Sequence, residues 1–142
     1  MTELAFTFCN SAVMPGWACL ALAPRWPHTR TAVFAGVGAN AVAYVTHLLT
    51  AERVEDASFL SLKGVRNIFM RGDANVHMVC WLHYLAFDVL VGLMEVEDAQ
   101  REGVRHAAVV PCLGLTLLYG PAGALAYAVV RFASMVLRKR SA

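Results

Sequence analysis

Asp88 lies inside the apolar run WLHYLAFDVL, residues 81–90, with His83 and Tyr84 beside it. A carboxyl at the centre of a membrane helix costs about 2.5–3.5 kcal/mol on insertion scales, so it implies a partner, a neutral form or a use. At about 100° per residue, His77, Tyr84, Asp88 and Glu95 fall within about 40° of one another and form a polar seam along one helix. His83 projects to another face, with Phe87. Upstream, Asn40, Tyr44 and His47 recur at i, i+4 and i+7 on a second helix. If the two helices are antiparallel, Asn40 stands roughly level with Asp88 and within reach of a hydrogen bond across the interface. Asp88 is read as a functional residue, with His83 and His47 as further titratable candidates at bundle depth. The competing reading is a satisfied interhelical hydrogen bond that only fixes packing. His77, Glu95 and Arg131 are expected near the membrane surfaces, where snorkelling accounts for a charge.

Positioning these groups requires long apolar elements, and the composition provides them. Of 142 residues, 58% are hydrophobic and 15% charged, and the mean hydropathy is +0.54. About 20 apolar residues cross a bilayer as a helix. The sequence predicts crossings at about 4–23, 31–50 and 76–96, with a fourth at about 105–137 kinked near Pro111 and Pro121. The fold class is therefore all-α, a four-helix transmembrane bundle in a single domain. Residues 51–75 mix charge with Phe59, Leu60, Leu62, Val65, Ile68 and Phe69, which suggests a short helix on the membrane surface. Ala35, Ala39 and Ala43 recur every four residues and predict close helix packing.

Charge and cysteine usage exclude other classes. The net charge of +2 is not gathered in one basic patch, so nucleic acid binding is not expected. Cys9, Cys19, Cys80 and Cys112 lie in apolar runs without CxxC spacing, which argues against a metal site. No nucleotide loop or hydrolase signature is present. The start, MTELAFTF, lacks the basic region of a secretory signal, so the first segment is expected to be retained. Ten of the twelve basic residues are Arg, a bias that fits a GC-rich bacterial genome and an inner-membrane location. With four crossings, 51–75 and the C-terminus share a side holding seven basic residues against four, so both termini are expected in the cytoplasm.

The blocks WLHYLAFDVLVG (81–92), PCLGLTLLYGPAGALAYAVVR (111–131) and SFLSLKGVRNIF (58–69) resemble the abscisic acid-deficient-four-like membrane proteins. The resemblance covers about residues 58–131, and departs from the family pattern at Leu93 and Met94, where an Arg–Trp pair is expected. Its plant members are linked to making neoxanthin from violaxanthin. The resemblance implies an isomerase-type rearrangement of an epoxy-carotenoid or related isoprenoid, with no redox cofactor, and with it Asp88 as the acid and His83 or His47 as the base. It implies a long lipid substrate in an apolar groove, and Trp81, Phe87, Trp17 and Tyr127 are candidates to line it, with Asn40, Tyr44 and Tyr84 as polar contacts. The alternative is a non-catalytic carotenoid- or isoprenoid-binding protein that assists a partner enzyme or forms a homo-oligomer. A small transporter finds less support, since no inverted repeat is visible.

Overall fold

The computed structural model describes residues 2–141 and contains six helices: α1 (Thr2–Leu22), α2 (Thr29–Thr50), α3 (Leu62–Arg71), α4 (Ala74–Glu102), α5 (His106–Tyr119) and α6 (Pro121–Ser141). Among the described residues, α1, α2 and α4 are long and apolar enough to cross a membrane. Their outward faces carry exposed Leu4, Phe8, Phe34, Leu49, Phe87 and Met94. The buried core is narrow, and centres on Val13, Leu20, Val33, Leu82, Val89 and Val96.

Helix α4 is the axis of the molecule. Asp73 caps its first turn, its carboxylate accepting from the Val76 amide at 2.8 Å. That bond is the main reason the Asp73 carboxyl is held below the usual aspartate range. At the other end Gly103 adopts φ 65° and closes the helix. The run EVEDAQRE, which extends past the crossing expected at about 76–96, forms the last two turns of a 29-residue helix. At 1.5 Å per residue α4 is about 43 Å long, well over the roughly 30 Å of a hydrocarbon core.

Helix α2 packs antiparallel against α4, while α1 runs parallel to α4, with Phe6 beside Trp81 and Pro24 beside Gln100. The close approach of α1 and α2 is made at Gly36, where an added Cβ would sit 2.6 Å from the Ala12 carbonyl, and at Gly16, where one would sit 3.1 Å from Val33 Cα. The predicted stripe of Ala35, Ala39 and Ala43 is displaced by one residue, because Ala35 is exposed while Gly36 and Asn40 are buried. Pairing of Arg30 with Glu97 at 3.0 Å and of His47 with Asn75 at 2.8 Å fixes the two ends of α2 against the two ends of α4.

The region 105–137 departs from the expected single kinked crossing. Pro111 is accommodated within α5, and the chain reverses at Gly120, with φ 46°. The pairings along α4 demonstrate the reversal. His106, at the start of α5, bonds the Ala21 carbonyl near the far end of α1 at 2.9 Å. Gly120 then lies against Asp88, and α6 climbs back, with Tyr127 and Arg131 on Asp98 and Arg138 on Glu102. From Asp88 to Glu102 is fourteen residues, about 21 Å of helix, which matches the 14-residue length of α5. Helices α5 and α6 therefore form a hairpin that covers one half of α4. A stretch too long for one crossing and too short for two is resolved as two antiparallel helices with Pro121 at the first position of the second.

This hairpin also moves the C-terminal segment. Arg138 contacts Glu102 and the Gly103 turn, at the end of α4 remote from α3. The expected four-crossing layout, with 51–75 and the C-terminus on one side, does not hold in this fold. We call the two ends of the bundle the α3 side and the hairpin side. Segment 51–75 contains α3, ten residues capped by Ser61 on the Gly64 amide at 3.0 Å, with Phe59, Leu60, Leu62 and Phe69 exposed.

Candidate functional site

Asp88 stands at the midpoint of α4, fourteen residues from either end. It is 8% exposed, and its Oδ2 has no hydrogen-bond partner. Tyr84 lies one turn earlier on the same face of α4. The carboxyl faces the tip of the α5–α6 hairpin: a Cβ at Gly120 would lie 2.7 Å from Asp88 Oδ1. Only glycine satisfies both the positive φ and this approach. The first turn of α6 begins beside the carboxyl, and its leading amides carry the positive end of the helix dipole. A carboxyl so placed gives a proton when neutral and takes one when ionised, and it retains a free oxygen for either task.

The other expected site residues separate into distinct places. His83, Tyr44 and Phe87 come together on the far side of α4. His83 stacks on Phe87 with centroids 4.3 Å apart and lies 6.4 Å from the Tyr44 ring. With Val37, Leu82 and Leu90 they line an apolar groove of ≈370 Å³ between α2 and α4. Asn40 does not reach Asp88. Its amide donates to the Cys9 carbonyl of α1 at 3.2 Å and to Gly36 at 3.0 Å, which points it at α1 rather than at α4. His47 lies at the α3 side on Asn75, which also reaches Asp73 and the Thr50 carbonyl, so it ties α2 to the start of α4.

Trp81 belongs to the Asp88 face. Its ring stacks on Tyr84 at 5.5 Å and on Phe6 of α1 at 5.9 Å, and its indole N–H donates to Asn10 at 3.3 Å. Trp17 is buried in the core, where Gly92 leaves room for its ring. Tyr127 is drawn to the hairpin side, its hydroxyl donating to Asp98 at 2.6 Å. Trp17 and Tyr127 thus share no common groove with Trp81 and Phe87.

Two groups escaped the sequence reading. Glu95, expected at a surface, is 3% exposed, accepts from the Thr116 hydroxyl at 2.7 Å and keeps Oε2 unpartnered. Its depth follows from α5, which covers it, and from Gly123, whose lack of a side chain lets α6 press directly on Thr116. Asp98 and Glu102 lie beyond the crossing expected at about 76–96, yet both sit on α4 and bind Arg131, at 2.6 and 3.0 Å. The signal was present, since Asp98 and Glu102, and Tyr127 and Arg131, are both i, i+4 pairs. Reading it required knowing that α6 runs alongside α4.

The ABA DEFICIENT 4-like family model matches residues 4–127, from the first turn of α1 to Tyr127 on α6. No curated protein and no solved structure matches the chain.

Proposed function

The chain belongs to the ABA DEFICIENT 4-like family, and we propose that it is an integral membrane protein of carotenoid metabolism that rearranges an epoxy-carotenoid or related isoprenoid without changing its mass. The observation that carries this reading is the buried Asp88 carboxyl, placed halfway along a membrane-length helix with one oxygen unpartnered. Opening a 5,6-epoxide needs a proton on its oxygen, and forming the allene needs loss of the neighbouring vinylic proton. The neutral Asp88 carboxyl gives its proton to the epoxide oxygen as the C–O bond breaks. Its other oxygen takes the vinylic proton, and the electrons of that C–H bond become the second double bond of the allene. The epoxide oxygen ends as a tertiary alcohol, Asp88 regains its proton, and nothing else is consumed. This assignment is favoured by the distance of His83 and His47 from Asp88, on another face and at another depth of the bundle.

The test is expression in a carotenoid-producing bacterium, with pigments separated and their masses measured. The expected result is a new isomer of unchanged mass, its yield falling by about 10²–10⁴ in Asp88→Asn. Conversion undiminished in a folded Asp88→Asn protein removes Asp88 from the chemistry. An equal fall in His83→Gln places the base in the α2–α4 groove instead.

A second reading is favoured by the contact of Asp88 with Gly120. There the carboxyl is a clasp for the hairpin, and the protein binds isoprenoid for a partner enzyme without changing it. Pigment that copurifies but keeps its mass and spectrum supports that reading. In both, the hairpin re-enters the membrane from one side and α3 lies on the opposite surface. The hairpin side carries Arg25, Arg30, Arg101, Arg105, Arg138, Lys139 and Arg140, and the α3 side Arg53, Lys63, Arg66 and Arg71. We assign the hairpin side to the cytoplasm, since basic residues collect there.

A further inference from the structure

The arginines on the hairpin side divide into two sets. Arg30 and Arg101 pair with Glu97 at 3.0 and 3.3 Å, Arg131 with Asp98 and Glu102 at 2.6 and 3.0 Å, and Arg138 with Glu102 at 3.8 Å. The carboxylates at the end of α4 are thereby taken. Among the described residues, the guanidinium groups of Arg25 and Arg105 have no carboxylate partner. Both line one cleft of ≈580 Å³ between the α1–α2 loop, the last turns of α4 and the start of α5, and no Asp or Glu lines it. Its floor is Val96, Ala99 and Val104, all buried, and its rim carries exposed Leu22 and Trp26. Hydrogen bonds tie the walls together: Gln100 donates to the Pro24 carbonyl at 2.8 Å, and His106 to the Ala21 carbonyl at 2.9 Å. Helix α5 opens on the cleft with no side-chain cap and no acidic residue in its first turn, so its dipole adds to the positive field of the two arginines.

We propose that this cleft binds the phosphate headgroup of an anionic membrane phospholipid, held between Arg25 and Arg105. The site is separate from Asp88 and goes beyond the chemistry given above. Its depth is that of a headgroup. With Asp88 at the bilayer midplane, half of a hydrocarbon core is about 15 Å, or about ten residues of α4. The boundary then falls at Asp98, so Gln100, Gly103 and Arg105 stand among headgroups while Val96 stays at the level of the acyl chains. A basic pocket between helices at this level, on the side assigned to the cytoplasm, fits an anionic head. Guanidinium groups answer phosphate oxygens with paired, charge-assisted hydrogen bonds. A free phosphate would meet the same two arginines, but it makes no use of the exposed Leu22 or the Val96 floor, which acyl chains cover. Arg25 belongs to the α1–α2 loop and Arg105 to the α4–α5 turn, so one headgroup bridges them. The lipid thus holds the base of the hairpin against the first two helices, where His106 and Gln100 already make the direct contacts.

The experiment uses the full chain purified in a non-ionic detergent with added phosphatidylglycerol or phosphatidylcholine, and lipid retained per protein is counted by native mass spectrometry. The wild type is expected to retain phosphatidylglycerol over phosphatidylcholine, whose choline cancels the phosphate charge. Changing Arg25→Gln and Arg105→Gln together lowers that retention about 30-fold, the worth of two basic residues at a membrane surface. Arg25→Lys with Arg105→Lys keeps most of it, which separates lost charge from lost folding. Arg53→Gln with Arg66→Gln, on the α3 side, leaves it unchanged. Equal retention of the two lipids, retention that survives the loss of both arginines, or an equal fall in the α3-side variant each overturns the site. Glycerol 3-phosphate, which has no acyl chains, is added at the concentration of the lipid and is expected to displace little of it. Full displacement overturns the lipid and gives the cleft to a water-soluble phosphate.

Discussion

Asp88 and Gly120 explain each other. A carboxyl at the centre of α4 is costly in a lipid environment, and a glycine with φ 46° in an apolar segment gives up conformational freedom. Their contact accounts for both, since the glycine lets the start of α6 come up to the carboxyl. Gly120→Ala is expected to destabilise the protein by about 1–3 kcal/mol through the strained φ and the encounter with Oδ1. Combining it with Asp88→Ala should recover part of that loss. Thermal unfolding of the two single variants and the double variant measures this, and a neutral Gly120→Ala would show that the tip does not pack on the carboxyl. The same scale separates His83 from Asp88: five residues apart, they occupy different faces of one helix and touch different partners.

At the scale of elements, α4 carries Asp88, Glu95, Asp98 and Glu102 toward the hairpin and pairs them in order of depth. The outermost two bind arginines of α6, Glu95 binds a threonine of α5, and Asp88 meets the turn between them. Polar contact thus fixes the register of α6 on α4, where apolar packing alone would permit sliding. Tyr127→Phe removes the hydroxyl bonded to Asp98 and is expected to cost about 1 kcal/mol, the scale of interhelical hydrogen bonds in membranes. In Asp98→Ala background the same substitution should cost little, and additive losses in unfolding experiments would show that the two residues do not act as a pair.

For the whole molecule, the hairpin sets which ends share a side. Single cysteines introduced at exposed Glu3 and Ala57 should react with a membrane-impermeant maleimide from one side of the membrane, and those at Pro27 and Lys139 from the other. The native cysteines, which are buried or half-buried, give the background. Labelling of Ala57→Cys and Lys139→Cys from the same side would restore a single kinked crossing in place of α5 and α6. The basic residues of the C-terminal segment join the Arg25 and Arg105 loops in this arrangement, so the excess of positive charge lies on the hairpin side. Assigning orientation by loop charge was sound in principle, but the number of crossings determined which loops were added together.

The sequence by itself determined the helical, lipid-compatible character of the chain, because apolar runs of about 20 residues have few other solutions. It also determined the seam of Tyr84 and Asp88 and the divergence of His83, because these follow from the fixed angle between successive residues of one helix. Family membership was legible from the contiguous blocks around Asp88 and Gly120. The tertiary structure decided what periodicity within a helix does not encode: which neighbour each face meets. It turned Asn40 to α1, buried Glu95 under α5, joined Asp98 to Tyr127 and Arg131, and folded 105–137 back on itself. The reversal rests on one glycine whose positive φ is a local choice, yet whose tolerance depends on a carboxyl thirty-two residues away, and that coupling exists only once α4 and the hairpin are packed together.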